Sequence, residues 1–213
     1  MLKVLTLGGM LVALLVAGAS APAAALPAGS LAVDVVTVNG SGCPAGTVKV
    51  APASDNATFM VTYGNYTAQV GVGAKPTDIR KNCQLNLQVH APAGFTYTIA
   101  RVEYSGFAHL VAGATSQAMA SYYFQGSSQT AVATHAFAGP LDGAWQATDT
   151  SETPGLGSLG YAPCGVQRNL NIDTELRVDA GTSDPDTTTS FMSMDSTRGS
   201  FHSVYHLAWQ QCG

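Results

Sequence analysis

Arg168-Asn169-Leu170-Asn171-Ile172-Asp173-Thr174-Glu175-Leu176-Arg177-Val178 alternates without a break. Leu170, Ile172, Thr174, Leu176 and Val178 face one way, and Asn169, Asn171, Asp173, Glu175 and Arg177 face the other. A period of two belongs to a strand with one face in a core and one in water. Cys83 to His90 repeats the pattern, with Cys83, Leu85, Leu87 and Val89 on one side and Gln84, Asn86, Gln88 and His90 on the other. Ala91-Pro92-Ala93-Gly94 stops that run.

Other strand signals follow the same logic. Val33 to Val38 is a β-branched run ending at Asn39-Gly40-Ser41-Gly42, and Thr58 to Tyr63 is a second short run. Phe95 to Tyr104 and Phe107 to Ala112 read as a hairpin about Ser105-Gly106. Gln117 to Phe124 reads as a strand because Tyr122, Tyr123 and Phe124 favour sheets, and Ala131 to Phe137 is expected to pair with it. Residues 138–163, rich in glycine and proline around Trp145, read as a long surface loop, with an interdomain linker as the alternative. After the Ala180 to Asp186 loop, Thr187 to Asp195 and Phe201 to Trp209 read as a hairpin about Ser196 to Ser200. Phe201, Ser203, Tyr205, Leu207 and Trp209 point inward. About ten strands at this spacing predict an all-β, antiparallel two-sheet sandwich, jelly-roll-like.

The N-terminus stands apart. Lys3 supplies a basic start, Val4 to Ala19 is apolar or small, and Ala23-Ala24-Ala25 is a small-x-small cleavage site. A membrane anchor is the competing reading, but the run of about 16 residues falls short of the roughly 20 that a spanning helix needs. Residues 1–25 are therefore expected to be a signal peptide and 26–213 a single secreted domain, extracellular and without a membrane segment after cleavage. Lys3 leaves with the signal, so eight of the nine basic residues remain against 13 acidic ones and the net charge moves from −4 to −5. That balance leaves no electrostatic footprint for nucleic acid or anionic lipid.

Four cysteines, Cys43, Cys83, Cys164 and Cys212, behind a signal peptide predict disulfides. The expected pairing is Cys43–Cys83 and Cys164–Cys212, which crosses none of the 138–163 stretch; crossed pairing is the alternative. Without a Cys-x-x-Cys pair, a zinc site is not expected. Each bridge would close a loop of about 40 to 48 residues and contribute roughly 4 kcal/mol on chain-entropy grounds.

Val38-Asn39-Gly40-Ser41-Gly42-Cys43-Pro44, Arg80-Lys81-Asn82-Cys83-Gln84-Leu85-Asn86-Leu87, Gly106-Phe107-Ala108-His109-Leu110, Arg168-Asn169-Leu170-Asn171-Ile172 and Leu207-Ala208-Trp209 before Cys212 together resemble a known family. It is the secreted family grouped as domain of unknown function 4360, common in actinobacteria such as streptomycetes and present in some fungi. The resemblance covers nearly all of residues 33 to 212. It implies an exported single-domain protein and brings no activity, cofactor or functional residue.

No catalytic residue, cofactor or metal is assigned from the sequence. His202 and His206 would lie roughly 13 Å apart on a strand, too far to share an ion. Asp179, Asp184 and Asp186, with Thr182 and Thr187, could offer oxygen to calcium, but an Asp-Pro turn explains them without an ion. Asp173 and Glu175, about 7 Å apart on one strand face, could serve a hydrolase as paired carboxylates; an ion-pair ladder with Arg177 is the plainer reading, and Arg101 with Glu103 invites the same comment. No Gly-x-Ser-x-Gly elbow anchors a hydrolase triad. Tyr122, Tyr123 and Trp145, taken as exposed, could stack on sugars. Asn39, Asn56 and Asn65 fit Asn-x-Ser/Thr and matter only in a glycosylating host. The leading expectation is an extracellular binding or structural protein in contact with polysaccharide or cell wall; the alternative is a secreted hydrolase using carboxylates on a sheet face.

Overall fold

The computed structural model describes residues 31–194 and 201–213. The expected signal peptide and the Ser196 to Ser200 turn lie outside the described residues. Two antiparallel sheets pack face to face. The five-stranded sheet runs β1 (Ala32–Asn39), β5 (Arg80–His90), β10 (Leu170–Asp179), β7 (Thr115–Phe124) and β8 (Ala131–Ala138) in spatial order. The seven-stranded sheet orders β2 (Val48–Pro52), β3 (Thr58–Tyr63), β12 (Ser203–Gln211), β6 (Phe95–Leu110), β11 (Thr189–Ser193) and β4 (Thr67–Gly71), with β9 (Leu141–Thr150) also paired to β6.

The alternations fold as their period dictates. Leu170, Ile172, Thr174, Leu176 and Val178 of β10 are buried, as are Cys83, Leu85, Leu87 and Val89 of β5. Facing them from the other sheet are Phe59, Val61, Tyr63, Ile99, Val102 and Tyr205. Several tyrosine hydroxyls lie in the core, and those of Tyr66, Tyr104 and Tyr122 find partners there. Tyr66 Oη donates to Thr174 Oγ1 at 3.1 Å, and Tyr104 Oη donates to Asp149 at 2.8 Å while contacting the Tyr122 hydroxyl. Phe59 stacks on Tyr205 with ring centroids 4.8 Å apart.

Three expectations require correction. The first is the hairpin about Ser105-Gly106: β6 is one continuous strand of 16 residues. A Cβ at Gly106 would stand 2.0 Å from the Ser193 carbonyl oxygen and 2.5 Å from the Trp145 ring, so glycine permits close approach here and makes no turn. The second is the 138–163 loop, which contains β9. This strand carries Asp142, Gly143, Ala144 and Asp149, poor strand formers, and is recruited by pairing with β6 from Arg101↔Thr150 to Leu110↔Leu141. The third is the C-terminal hairpin. β11 and β12 do not pair with each other; both lie along one edge of β6, β12 against Phe95 to Tyr104 and β11 against Phe107 to His109, while β9 takes the opposite edge.

Cys43 is bridged to Cys83 and Cys164 to Cys212, with Cα atoms 5.3 and 5.9 Å apart. The first bridge ties the turn after β1 to β5. Gly40 sits in that turn at φ 144°, where a Cβ would meet the Asn82 carbonyl oxygen at 2.2 Å. The second holds the segment before β10 against the end of β12.

Candidate functional site

Strand order assembles a surface from the outward residues of β1, β5, β10 and β7. Two rows cross these four strands: Thr37, Asn86, Asn171 and Tyr123, then Asn39, Gln84, Asp173 and Ser121. Directly opposed residues on neighbouring strands stand roughly 5 Å apart, so each row is a continuous line of side chains. Asn86 Nδ2 donates to Asn171 Oδ1 at 2.7 Å, and Asn169 Nδ2 donates to Asn86 Oδ1 at 2.6 Å. These bonds fix which edge of each amide points outward. A shallow trough of ≈ 430 Å³ lies over Thr37, Gln84, Asn86, Tyr123, Asn171 and Asp173. A second depression of ≈ 380 Å³ continues the same face over Thr115, Gln117, Ala136 and Arg177.

Asp173 is the anomaly of this face. It is half-buried, and its carboxylate makes no hydrogen bond or ion pair among the described residues. Burial holds its carboxyl above the ordinary carboxylate range. Tyr123 beside it is also half-buried; burial first, and the Asp173 charge second, push its phenol up. The neighbouring acids are occupied. Arg80 Nε donates to Glu175 Oε2 at 2.6 Å, Asp179 meets Arg177 at 3.4 Å and Asp34 meets His90 at 2.7 Å. The same pairs leave Arg80 and Arg177 engaged and the His90 ring bonded to Asp34, so the face is not built for anions. Amides that both donate and accept, one unpaired carboxylate and one tyrosine ring suit a hydroxyl-rich, uncharged or cationic ligand.

The other residues singled out from the sequence fall elsewhere. Tyr122 is fully buried and Trp145 is 3% exposed, correcting the expectation that they face solvent; Tyr123 alone of the three reaches the surface. Trp145 packs into the core against Phe137, with ring centroids 5.3 Å apart. His202 precedes β12, and His206 pairs with Glu103 at 3.2 Å, next to the Arg101–Glu103 ion pair. Asp184 organises its turn by accepting from the Asp186 amide at 3.0 Å and the Thr187 hydroxyl at 2.9 Å. Among the described residues no three His, Cys, Asp or Glu side chains gather as a metal-holding group.

Two groupings escaped sequence reasoning. On the outer face of the seven-stranded sheet, Phe191 lies 6.1 Å from Phe107 and 5.7 Å from His109, ring to ring. Between the sheets, Asp149 joins Tyr104 to His135, the last at 3.0 Å. The first depends on β11 and the second on β9, whose places beside β6 are set by tertiary pairing and not by local sequence pattern.

The family model described as "Domain of unknown function (DUF4360)" matches residues 29–212. A fungal relative, an "Uncharacterized secreted protein" of Arthroderma benhamiae, is 32% identical over 177 residues, spanning 83% of this chain and 70% of the relative. Among solved structures, TmCBM61 in complex with beta-1,4-galactotriose aligns over 85% of this chain and 88% of that one, at 13% identity and a TM-score of 0.29. That similarity is too weak to carry a fold or a ligand across.

Proposed function

The chain belongs to the domain of unknown function DUF4360 family, and we propose that it acts outside the cell by binding polysaccharide through the outer face of its five-stranded sheet. The observation that carries this reading is Asp173, a half-buried carboxylate without a partner at the centre of an oriented amide array. Leaving a partly desolvated charge unpaired is unfavourable, and a ligand rich in hydroxyl donors would relieve it. Asn86 and Asn171, held in fixed orientation, would meet further hydroxyls, and the Tyr123 ring would offer an apolar face to a sugar ring. Export is supported by the N-terminal signal pattern, by the two bridges and by the relative's description as secreted.

Hydrolysis through Asp173 and Glu175 is the weaker reading. Their backbone spacing of about 7 Å suits an inverting pair. However, both stand on one strand and would approach a ligand from the same side, whereas the two carboxylates of a glycosidase flank the bond. Glu175 is also held by Arg80.

Retention of the purified protein on cell-wall and polysaccharide preparations tests the proposal. Binding should be lost in Asp173→Ala and Tyr123→Ala, with circular dichroism unchanged. No retention on any preparation, or retention indifferent to both substitutions, would overturn it.

A further inference from the structure

The charges on this face leave one value unmatched, and it is negative. Arg80 is bonded to Glu175 and Arg177 to Asp179, and Asp34 is hydrogen-bonded to the His90 ring. Asp173 has no counterpart, and its neighbours in the row, Gln84 and Ser121, are neutral. A wholly neutral ligand could donate hydroxyls to this carboxylate and relieve part of the cost, but it would also strip away the remaining water and bring no opposite charge. Covering a charge is costly unless an opposite charge arrives with the cover. Resting on the reading of this face as a polysaccharide surface, we infer that the sugar unit seated over Asp173 carries a protonated amine, so that the ligand class is an amino-sugar polymer with free amino groups.

The surroundings fit such a unit. Tyr123 lines the same trough as Asp173, so an ammonium paired with the carboxylate would also lie near an aromatic ring, which attracts cations through its face. Gln84, Asn86 and Asn171 flank the carboxylate with amides that can accept from and donate to the hydroxyls of adjoining units. The net charge expected after cleavage, −5 with the histidines neutral, adds long-range attraction for a polycation, an effect that salt would screen. The bond to Asp173 itself, being partly desolvated, would be screened less.

The test compares three probes by calorimetry at mildly acidic pH, where the amine is protonated: a glucosamine oligomer, its N-acetylated counterpart of equal length, and polylysine. The glucosamine oligomer should bind about tenfold tighter than the acetylated one. Asp173→Asn, which keeps the shape and removes the charge, should abolish that preference. Equal binding of both oligomers would overturn the amine inference and leave the polysaccharide reading standing. Binding of neither would overturn the inference, while retention on wall preparations judges the broader reading separately. A preference that survives in Asp173→Asn, or polylysine binding as tight as the glucosamine oligomer, would place recognition in overall charge and overturn it too.

Discussion

Asn86 donates from Nδ2 to Asn171 Oδ1 at 2.7 Å across the two strands at the middle of the five-stranded sheet. Asn169 in turn donates to Asn86, so three amides form a chain with defined orientations. A neutral hydrogen bond open to water contributes little net stability, typically about 0.5–1.5 kcal/mol. The chain's value therefore lies in presenting amide edges to a ligand without reorganisation. Asn171→Ala should lower stability by about 1 kcal/mol or less in chemical denaturation yet weaken retention on polysaccharide in affinity electrophoresis. Unchanged mobility would remove Asn171 from the site.

Tyr123 separates ring from hydroxyl. If stacking provides its contribution, Tyr123→Phe should retain polysaccharide binding within about threefold, while Tyr123→Ala should lose about tenfold or more. Equal losses in both variants would assign the contribution to the hydroxyl.

Asp173 predicts a pH dependence with a definite sign. Burial raises its folded-state pKa above the ordinary value of 3.8. Between those two values the folded state binds more protons than the unfolded state, so stability falls as pH rises through that window and remains lower above it. Asp173→Asn should therefore be the more stable protein at neutral pH, by under about 1 kcal/mol because the group keeps part of its hydration. The difference should vanish as the pH falls below 3.8. Thermal melts across pH check this; a variant less stable than the parent at neutral pH would show that the carboxylate has a stabilising partner.

The legible part of this protein was the part whose local pattern and tertiary role agree. β5 and β10 alternate, and their burial follows that alternation residue by residue. The outward polarity of Gln84, Asn86, Asn171 and Asp173 was equally plain. Their convergence was not, because it depends on β5 and β10 being neighbours, and strand order leaves no trace in local periodicity. β9 failed for a different reason. Its residues are weak strand formers, and pairing with β6 and burial of Trp145 decide its conformation. Tyr122 and Tyr123 share one β-favouring run, and which of them faces the core is set by register, which strand propensity alone leaves open.

Gly106 offers a test of that β6–β9 geometry. Gly106→Ala would place a methyl against the Ser193 backbone and the Trp145 ring, and overpacking of this kind costs about 1–3 kcal/mol or more. Gly143, on the paired β9, has nothing within 4 Å of an added Cβ. Gly143→Ala should be neutral or slightly stabilising. Denaturation midpoints of the two variants should thus separate clearly; equal midpoints would contradict the close approach of β6, β9 and β11.

The two bridges should differ in what their loss does. Each closes a long loop, with sequence separations of 40 and 48, so chain entropy assigns them similar stabilisation of about 4 kcal/mol. Their positions are not equivalent. Cys83 is followed directly by Gln84 on β5, and its partner Cys43 closes the turn that continues from Asn39, whose cross-strand partner is Gln84. The first bridge therefore holds one wall of the trough. The second ties the Cys164 segment to the end of β12, away from Asp173. Peptide mapping without reduction should link Cys43 to Cys83 and Cys164 to Cys212. Replacing either pair by serine should lower the melting temperature by comparable amounts. At a temperature where both variants remain folded, only the Cys43→Ser, Cys83→Ser double variant should lose polysaccharide retention, because only there is β1 free to shift against β5. Equal retention in the two variants would show that the wall of the trough is held by the β1–β5 ladder alone.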